Sequence, residues 1–168
     1  DVVFQSGNKL TASDVKFSMD RLLTIGEGYA YLFTGVVKEV NVIDDQTVQF
    51  ILNAPSGTFP SMLIRLYILD EEVVRSHINS DGSYGENGDY GKEWLLVNDA
   101  GSGPYKVREM KTEEYLVMER FEDYWGGWEE GAPESIKMQG GLEATAIRTM
   151  ISRGELDISN DAQTPEAY

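Results

Sequence analysis

The amino-acid sequence predicts an α+β fold in which helices and antiparallel hairpins are intermixed. Residues 40–52 and 105–120 each alternate apolar and polar side chains on both sides of a short turn, which is the pattern of a hairpin. Apolar residues recur at helical spacing over residues 13–23 and 142–151. Because these elements follow one another without a visible internal repeat, the mixed class is favoured.

The first helix is predicted over residues 13–23. Thr11 and Asp14 have the spacing of a capping box, in which the two residues satisfy each other's backbone groups at a helix start. Gly26 and Gly28 are expected to end the helix.

Short segments flank this helix on either side. Residues 1–5 alternate weakly and predict a short strand. In the sequence YAYLF, an extended backbone would place Tyr29, Tyr31 and Phe33 on one side. For Tyr29 and Tyr31, packing in the core and lining a ligand cleft both remain open.

The middle of the chain predicts four further features. Asp44 and Asp45 are interpreted as turn formers in the hairpin of residues 40–52. A short helix is expected around residues 59–65. The sequence YILDEEVVRSHI predicts a brief strand and another helix, and the polar residues 79–93 predict a solvated loop.

This polar loop fails as a twelve-residue calcium site. A count from Asn79 places Tyr84 where the invariant glycine belongs, and a count from Asp81 places Glu86 there. The alternating Asp and Asn residues are therefore interpreted as solvated loop residues rather than metal ligands.

The C-terminal part predicts a corner, a hairpin and a helix. The rigid corner of residues 101–104 opens the second hairpin, since proline fixes φ and glycine admits a tight turn. Gly154 is expected to cap the last helix ahead of a strand at residues 155–158. Buried core positions are expected for three aromatic residues, Tyr105, Tyr124 and Trp125.

Composition narrows the class of function. The chain has 168 residues and a net charge of -15. This negative charge argues against a nucleic-acid partner, because phosphates would be repelled. The simplest interpretation of the charge is a soluble surface. The absence of cysteine excludes disulfides, a thiol nucleophile and thiolate metal ligands. No segment approaches the roughly 20 apolar residues of a membrane-spanning helix. The sequence is expected to be a fragment of a longer chain that continues at both ends.

No catalytic motif is visible. His77 is the only histidine, at a predicted helix end, and its neighbour Ser76 is not expected to face it along a helix. The segment GGLEATA lacks the lysine of a phosphate-binding loop. An enzyme, a cofactor and a metal site are therefore not expected.

Five blocks of the sequence resemble the family 5 extracellular solute-binding proteins, the oligopeptide-, dipeptide- and nickel-binding subunits of ABC importers. They occur in the order and spacing of that family and are VVFQSGNKLTASDVKFSMDRLL, VNVIDDQTVQFIL, GSGPYKV, ERFEDYWGG and AIRTMISRGELDI. By this resemblance the GSGPY corner and the YWGG stretch begin and end a structural hairpin of the larger lobe.

The resemblance implies a partial periplasmic-binding-protein-like fold of class II. Residues 1–69 would form most of the smaller second domain and residues 70–168 part of the first, larger lobe. An N-terminal segment and a third domain would lie outside this chain, and the two lobes would close over the ligand by a hinge.

The resemblance also implies a non-catalytic function. The protein would capture a peptide or similar small solute in the periplasm or outside the cell, at the membrane, and deliver it to the membrane permease of an ABC importer. Tyr29 corresponds to a tyrosine that borders the peptide in peptide-binding members, Tyr31 could take its place, and Asn160 lies where relatives face the cleft. Sugar-, nickel- or other solute binding is an alternative, and an interaction or scaffold module is an alternative of another class.

Overall fold

The computed structural model describes residues 1–159 and confirms the mixed α+β class. The helices are α1 (Ala12–Ile25), α2 (Ala30–Phe33), α3 (Phe59–Met62), α4 (Glu71–Ser76) and α5 (Ala144–Ser152). The strands are β1 (Val37–Asp44), β2 (Thr47–Leu52), β3 (Tyr105–Lys111), β4 (Tyr115–Arg120) and β5 (Ser135–Gln139). Short 3-10 turns cover Leu63–Arg65, Gly85–Asn87 and Trp94–Leu96.

Helix α1 begins and ends at the residues that the sequence marks. The Asp14 carboxylate accepts the Thr11 backbone N–H at 2.8 Å and the Thr11 hydroxyl at 2.9 Å, which is the carboxylate half of a capping box. At the other end Gly26 takes the left-handed conformation with φ 74°, and its N–H bonds the Leu22 carbonyl at 3.0 Å. The helix prediction is confirmed, with two more residues at its C-terminal end.

Both hairpins are confirmed, and a third strand extends the second one. Strands β1 and β2 pair antiparallel around a turn in which the Asp44 carboxylate accepts the Gln46 N–H at 2.9 Å. Strands β3, β4 and β5 form a three-stranded antiparallel sheet in that order. The sequence analysis missed β5, because it has only five residues and four of its side chains, including that of Met138, are exposed.

The predicted strand before α1 is wrong, and the segment after α1 is helical rather than extended. Residues 1–5 make a single bridge, between Val3 and Lys9, rather than a strand. The segment YAYLF forms the short helix α2, because Ala30 and Phe33 are three residues apart and both are buried on one side of a helical turn. Tyr31 consequently points away from them and is 71% exposed.

The predicted strand before α4 is also wrong, because residues 69–71 are tied to α1 instead. The Leu69 N–H donates to the Ser18 hydroxyl at 2.9 Å, and the Glu71 N–H donates to the Asp14 carboxylate at 2.9 Å. Between them the Asp70 N–H donates to the Ala100 carbonyl at 2.9 Å. These partners lie far along the chain, so local alternation gave no sign of them.

Two hydrophobic clusters share α1. Phe17 belongs to one cluster and Met19 to the other, so opposite faces of the helix are buried. The first cluster contains Met19, Phe33, Val37, Val40 and Phe59. The second contains Phe17, Val74, Tyr90 and Ala100.

The polar loop of residues 79–93 is more ordered than a solvated loop. Asp89 is buried, and its carboxylate accepts the backbone N–H groups of Asn79 at 2.9 Å, Gly91 at 2.8 Å and Glu93 at 3.0 Å. Arg21 of α1 donates to the Tyr90 carbonyl at 2.7 Å. The loop is therefore folded around one carboxylate and fastened to α1.

Near the C-terminus two more expectations fail. No strand forms at residues 155–158, although Gly154 does follow α5 with φ 69°. Trp125 is 54% exposed rather than buried, and its indole N–H donates to the Ser102 carbonyl at 3.1 Å. Tyr105 and Tyr124 are half-buried against Trp128, with ring centroids 5.1 Å and 5.9 Å apart.

Replacing Asp70 by alanine should destabilise the protein by about 3 kcal/mol, the scale expected when hydrogen bonds to a buried charged group are lost. Asp70 is 1% exposed and accepts from Ser6 Oγ at 2.5 Å, Asn8 Nδ2 at 3.0 Å and the Val73 N–H at 3.1 Å. Urea denaturation measures the change. The matched control Asp81→Ala removes an exposed loop carboxylate and should cost less than about 0.5 kcal/mol; equal costs for both variants would refute the structural role of Asp70.

Acidification should remove the stabilisation that Asp89 provides. Burial by itself would raise the pKa of Asp89, but the N–H groups of Glu93, Asn79 and Gly91 outweigh burial and hold that pKa below its ordinary value. Its contribution is therefore complete above the unfolded-state pKa of about 3.9 and is lost as pH falls through the lower folded-state pKa.

We expect wild type and Asp89→Asn to differ in unfolding free energy by a constant amount above about pH 5 and by progressively less below about pH 4. Urea denaturation at a series of pH values measures this difference. The control Asp81→Asn should follow wild type at every pH. A gap between wild type and Asp89→Asn that widens on acidification would contradict the interpretation.

Candidate functional site

Three tyrosines and one arginine form an exposed cluster beside the first hydrophobic core. This tyrosine patch consists of Tyr29, Tyr31, Arg65 and Tyr67. Tyr31 is 71% and Tyr67 64% exposed, while Tyr29 is half-buried at the centre. Large exposed aromatic clusters are unusual on a monomer surface and commonly mark a binding site.

The patch is held together by ring contacts around Tyr29. The ring centroid of Tyr29 lies 6.5 Å from that of Tyr31 and 6.3 Å from that of Tyr67, with tilted planes. The guanidinium carbon of Arg65 lies 5.0 Å from the Tyr29 ring centroid, and Nη1 donates to the Tyr29 hydroxyl at 3.4 Å. Tyr29 therefore serves as the platform on which the other three side chains are arranged.

The segment after α1 positions the first half of the patch. Gly28 has φ 59°, a conformation that few other residues adopt, and it turns the chain directly into Tyr29 at the start of α2. Ala30 and Phe33 anchor α2 in the core, and this leaves Tyr31 facing solvent.

The segment of residues 59–67 positions the second half. Phe59 is buried, and its ring lies 5.3 Å from that of Phe50 on β2. Leu63 and Leu66 pack on the same core. Because these apolar residues face inward, Arg65 and Tyr67 face outward next to Tyr29.

The patch offers aromatic faces, phenolic hydroxyls and one cation. Within residues 1–159 no protein group hydrogen-bonds the hydroxyls of Tyr31 and Tyr67, so both can donate to or accept from a ligand. Arg65 forms no ion pair within the same residues. Such a surface can bind a flat or extended solute by stacking and hydrogen bonding, without any chemical step.

Two of the three site residues predicted from the sequence lie in this patch. Tyr29 and Tyr31 are brought together, and their role in binding stays a prediction. Asn160 lies outside the described residues. The sequence analysis missed Arg65 and Tyr67. A signal was present, because residues 46–69 contain no Asp or Glu although the chain has 29 of them.

A concavity separate from the tyrosine patch lies between the N-terminal segment, residues 94–100 and β3. It has a volume of about 360 Å³ and includes Phe4, Asp70 and Val107 in its lining. The Asp70 carboxylate is already engaged by Ser6, Asn8 and the Val73 N–H. This groove therefore presents a carboxylate that serves the fold rather than one free for a ligand.

His77 is occupied by structural contacts. It caps the C-terminus of α4 and stacks on Trp94 with ring centroids 4.2 Å apart. Contrary to the sequence expectation, Ser76 Oγ lies 3.0 Å from His77 Nδ1. The two side chains can meet because the backbone of His77, at the C-cap of α4, is no longer helical. Nδ1 also lies 2.9 Å from the Val73 carbonyl, and among residues 1–159 no carboxylate bonds the ring.

The described part of the chain holds neither a metal-ligand cluster nor a membrane-spanning helix. No group of three or more His, Cys, Asp or Glu side chains in it is arranged to hold a metal ion. None of its helices has the length and apolar character needed to cross a membrane.

A family model described as bacterial extracellular solute-binding proteins, family 5 Middle, matches residues 1–168. The probable D,D-dipeptide-binding periplasmic protein DdpA of Escherichia coli is 31% identical, and the alignment covers 94% of this chain and 28% of that relative. The dipeptide-binding protein of the same organism is 28% identical, over 73% of this chain and 24% of its own length. The chain thus spans about a quarter of the length of these two relatives.

Solved structures of binding proteins share the fold. NikZ from Campylobacter jejuni, in complex with Ni(L-His), has a TM-score of 0.76 at 21% identity, covering 94% of this chain and 29% of that one. The periplasmic binding protein DppA from Helicobacter pylori, in complex with a peptide, has a TM-score of 0.72 at 21% identity, covering 92% and 32%. The predicted periplasmic-binding-protein-like fold is confirmed, and the chain belongs to the bacterial extracellular solute-binding proteins, family 5.

Proposed function

We propose that this chain is part of the solute-binding subunit of an ABC importer, which captures peptides or similar small solutes outside the cytoplasm and passes them to a membrane permease. Membership of family 5 supports this class of function. The single observation that carries the site is the exposed tyrosine patch, in which Tyr29 joins Tyr31, Arg65 and Tyr67.

The chemistry of the patch suits a peptide. An extended peptide is bound largely through its main chain, and its side chains need tolerant contacts. Tyr31 and Tyr67 supply flat aromatic faces with hydroxyls at their edges, which accept varied side chains at small entropic cost. Relatives named for dipeptide binding favour the same solute class.

The proposed activity is binding without catalysis. His77 is committed to α4 and Trp94, and the buried carboxylates of Asp70 and Asp89 are committed to backbone and side-chain donors of the fold. Peptide hydrolysis by the purified protein that disappears in His77→Ala would replace this proposal with an enzyme.

The proposed site is one wall of a cleft. We place residues 1–69 in a smaller lobe and residues 70–168 in part of a larger one, and we assign the opposite wall to residues outside this chain. A solute in a closed cleft is buried on most of its surface, whereas a single wall leaves it largely in water.

The 168-residue chain alone should therefore bind peptides far more weakly than the full-length protein. Calorimetry with a mixture of tripeptides to pentapeptides compares the two. We expect measurable binding by the full-length protein and none at micromolar affinity by residues 1–168. Micromolar or tighter binding by the short chain would refute the two-walled site.

Removing a tyrosine of the patch should weaken solute binding without destabilising the fold. In the full-length protein, Tyr29→Ala and Tyr31→Ala should each lower peptide affinity by about tenfold, the scale of one lost aromatic contact. The melting temperature without peptide should barely change, most clearly for Tyr31, which is 71% exposed. Calorimetry and thermal denaturation measure the two effects.

Ile43→Ala is the matched control, since Ile43 is 59% exposed on the β1–β2 hairpin and contributes nothing to the patch. It should leave both affinity and melting temperature unchanged. If Tyr29→Ala lowers the melting temperature by several degrees and leaves affinity intact, Tyr29 is a packing residue and not a ligand contact.

A further inference from the structure

We propose that the tyrosine patch selects an aromatic side chain of the solute, which packs against the exposed rings of Tyr31 and Tyr67 on either side of Tyr29. The solutes favoured by the patch are then peptides that contain phenylalanine, tyrosine or tryptophan. This inference rests on the proposed function of the patch and adds the class of side chain that it selects. It also assigns a role in specificity to Tyr67, a residue that the sequence analysis did not single out.

Exposed aromatic rings are concentrated at the patch. Among the Phe, Tyr and Trp residues of the described chain, the exposed side chains are those of Tyr31, Tyr67 and Trp125. Trp125 has a structural contact, since its indole N–H donates to the Ser102 carbonyl at 3.1 Å. Tyr31 and Tyr67 lie far apart in the sequence, yet both contact the ring of Tyr29. Two exposed rings that converge on a third one form a surface suited to a further ring.

The two exposed rings flank Tyr29 without contacting each other. Their centroids lie 6.5 Å and 6.3 Å from the centroid of Tyr29, with interplanar angles of 45° and 51°. Within residues 1–159 no ring contact joins Tyr31 to Tyr67. Aromatic pairs favour tilted or offset arrangements with centroids about 4.5–7 Å apart. A ring of the solute can therefore add to the cluster in the same geometry that its members already adopt.

A cationic side chain is a poorer match for the patch. Cations bind over the face of an aromatic ring, but the guanidinium carbon of Arg65 already lies 5.0 Å from the ring centroid of Tyr29. Its charge repels a second cation at such short range. The segments that build the patch, residues 28–37 and 46–69, contain no Asp or Glu to offset this repulsion. A neutral ring meets no such penalty.

An aromatic side chain also gains more at the patch than an aliphatic one of the same size. Both kinds of side chain bury apolar area against Tyr31 and Tyr67, but only a ring adds the edge-to-face attraction between π systems. The tyrosines provide this contact at small entropic cost, because each side chain has only two torsions to fix. Two such ring pairs correspond to about a tenfold gain in affinity.

The test compares three mixtures of tripeptides that differ in one side chain. The fixed residue is phenylalanine, lysine or cyclohexylalanine, which has the size and apolar character of phenylalanine without its π system. It occupies position one, two or three, and the other positions carry random residues that are neither aromatic nor basic. The full-length protein is incubated with each mixture, and retained peptides are quantified by mass spectrometry after gel filtration. Calorimetry then measures the dissociation constants of the retained peptides.

We expect wild type to bind phenylalanine peptides about tenfold more tightly than cyclohexylalanine peptides, and to bind lysine peptides most weakly. Tyr31→Leu and Tyr67→Leu should each reduce the preference for phenylalanine to about threefold, and the double variant should abolish it. Tyr67→Phe should retain the preference, because the ring and not the hydroxyl makes the contact. The matched control Trp125→Leu removes an exposed ring outside the patch and should keep the wild-type preference.

Other outcomes separate the two proposals. If wild type retains none of the mixtures, the proposed capture of peptides fails together with this inference. If phenylalanine and cyclohexylalanine peptides bind equally well, or lysine peptides bind most tightly, peptide capture stands and the aromatic selectivity is overturned. A preference for phenylalanine that survives in the double variant would also overturn it, because the selecting ring would then lie outside the patch.

Discussion

Burial of helix α1 on two opposite faces is the constraint on which the rest of the structure depends. Phe17 and Met19 enter different hydrophobic clusters, so neither cluster is complete without this helix. Polar contacts add a third attachment at the N-terminal half of α1. Asp14 and Ser18 accept backbone N–H groups from residues 69–71 and thereby join the helix to the segment that leads into α4.

Some of the many acidic residues of this chain stabilise its fold. Asp14, Asp70 and Asp89 are buried, and each carboxylate accepts two or more hydrogen bonds. A carboxylate accepts several donors at once, which suits it to fasten irregular backbone where no regular ladder satisfies the N–H groups. The long polar loop before the second hairpin keeps its shape in this way, with the Asp89 carboxylate at its centre.

The position of the tyrosine patch is determined by how its two segments are anchored in the core. Phe33 and Phe59 are buried in the same core, and each anchors a short helical turn whose other face must remain outside. A helical turn that buries one face presents the intervening residues to solvent. In this chain Tyr31 is such a residue in α2, and Arg65 is one in the 3-10 turn after α3, between Leu63 and Leu66. Packing in the core therefore determines where the recognition surface lies, and the outward residues are free to suit a ligand.

The sequence alone determined the elements whose signals are local. The capping box and the glycine after the helix marked the two ends of α1. The alternation of residues 40–52 and 105–120 specified both hairpins. Five blocks in the family's order were enough to identify the family. Tertiary structure decided what depends on distant partners: the helical form of α2, the anchoring of residues 69–71 to α1, and the addition of β5 to the sheet. Tyr29 and Tyr31 could be proposed from sequence, whereas Arg65 and Tyr67 could not, because residues more than 30 positions apart come together only through the shared core.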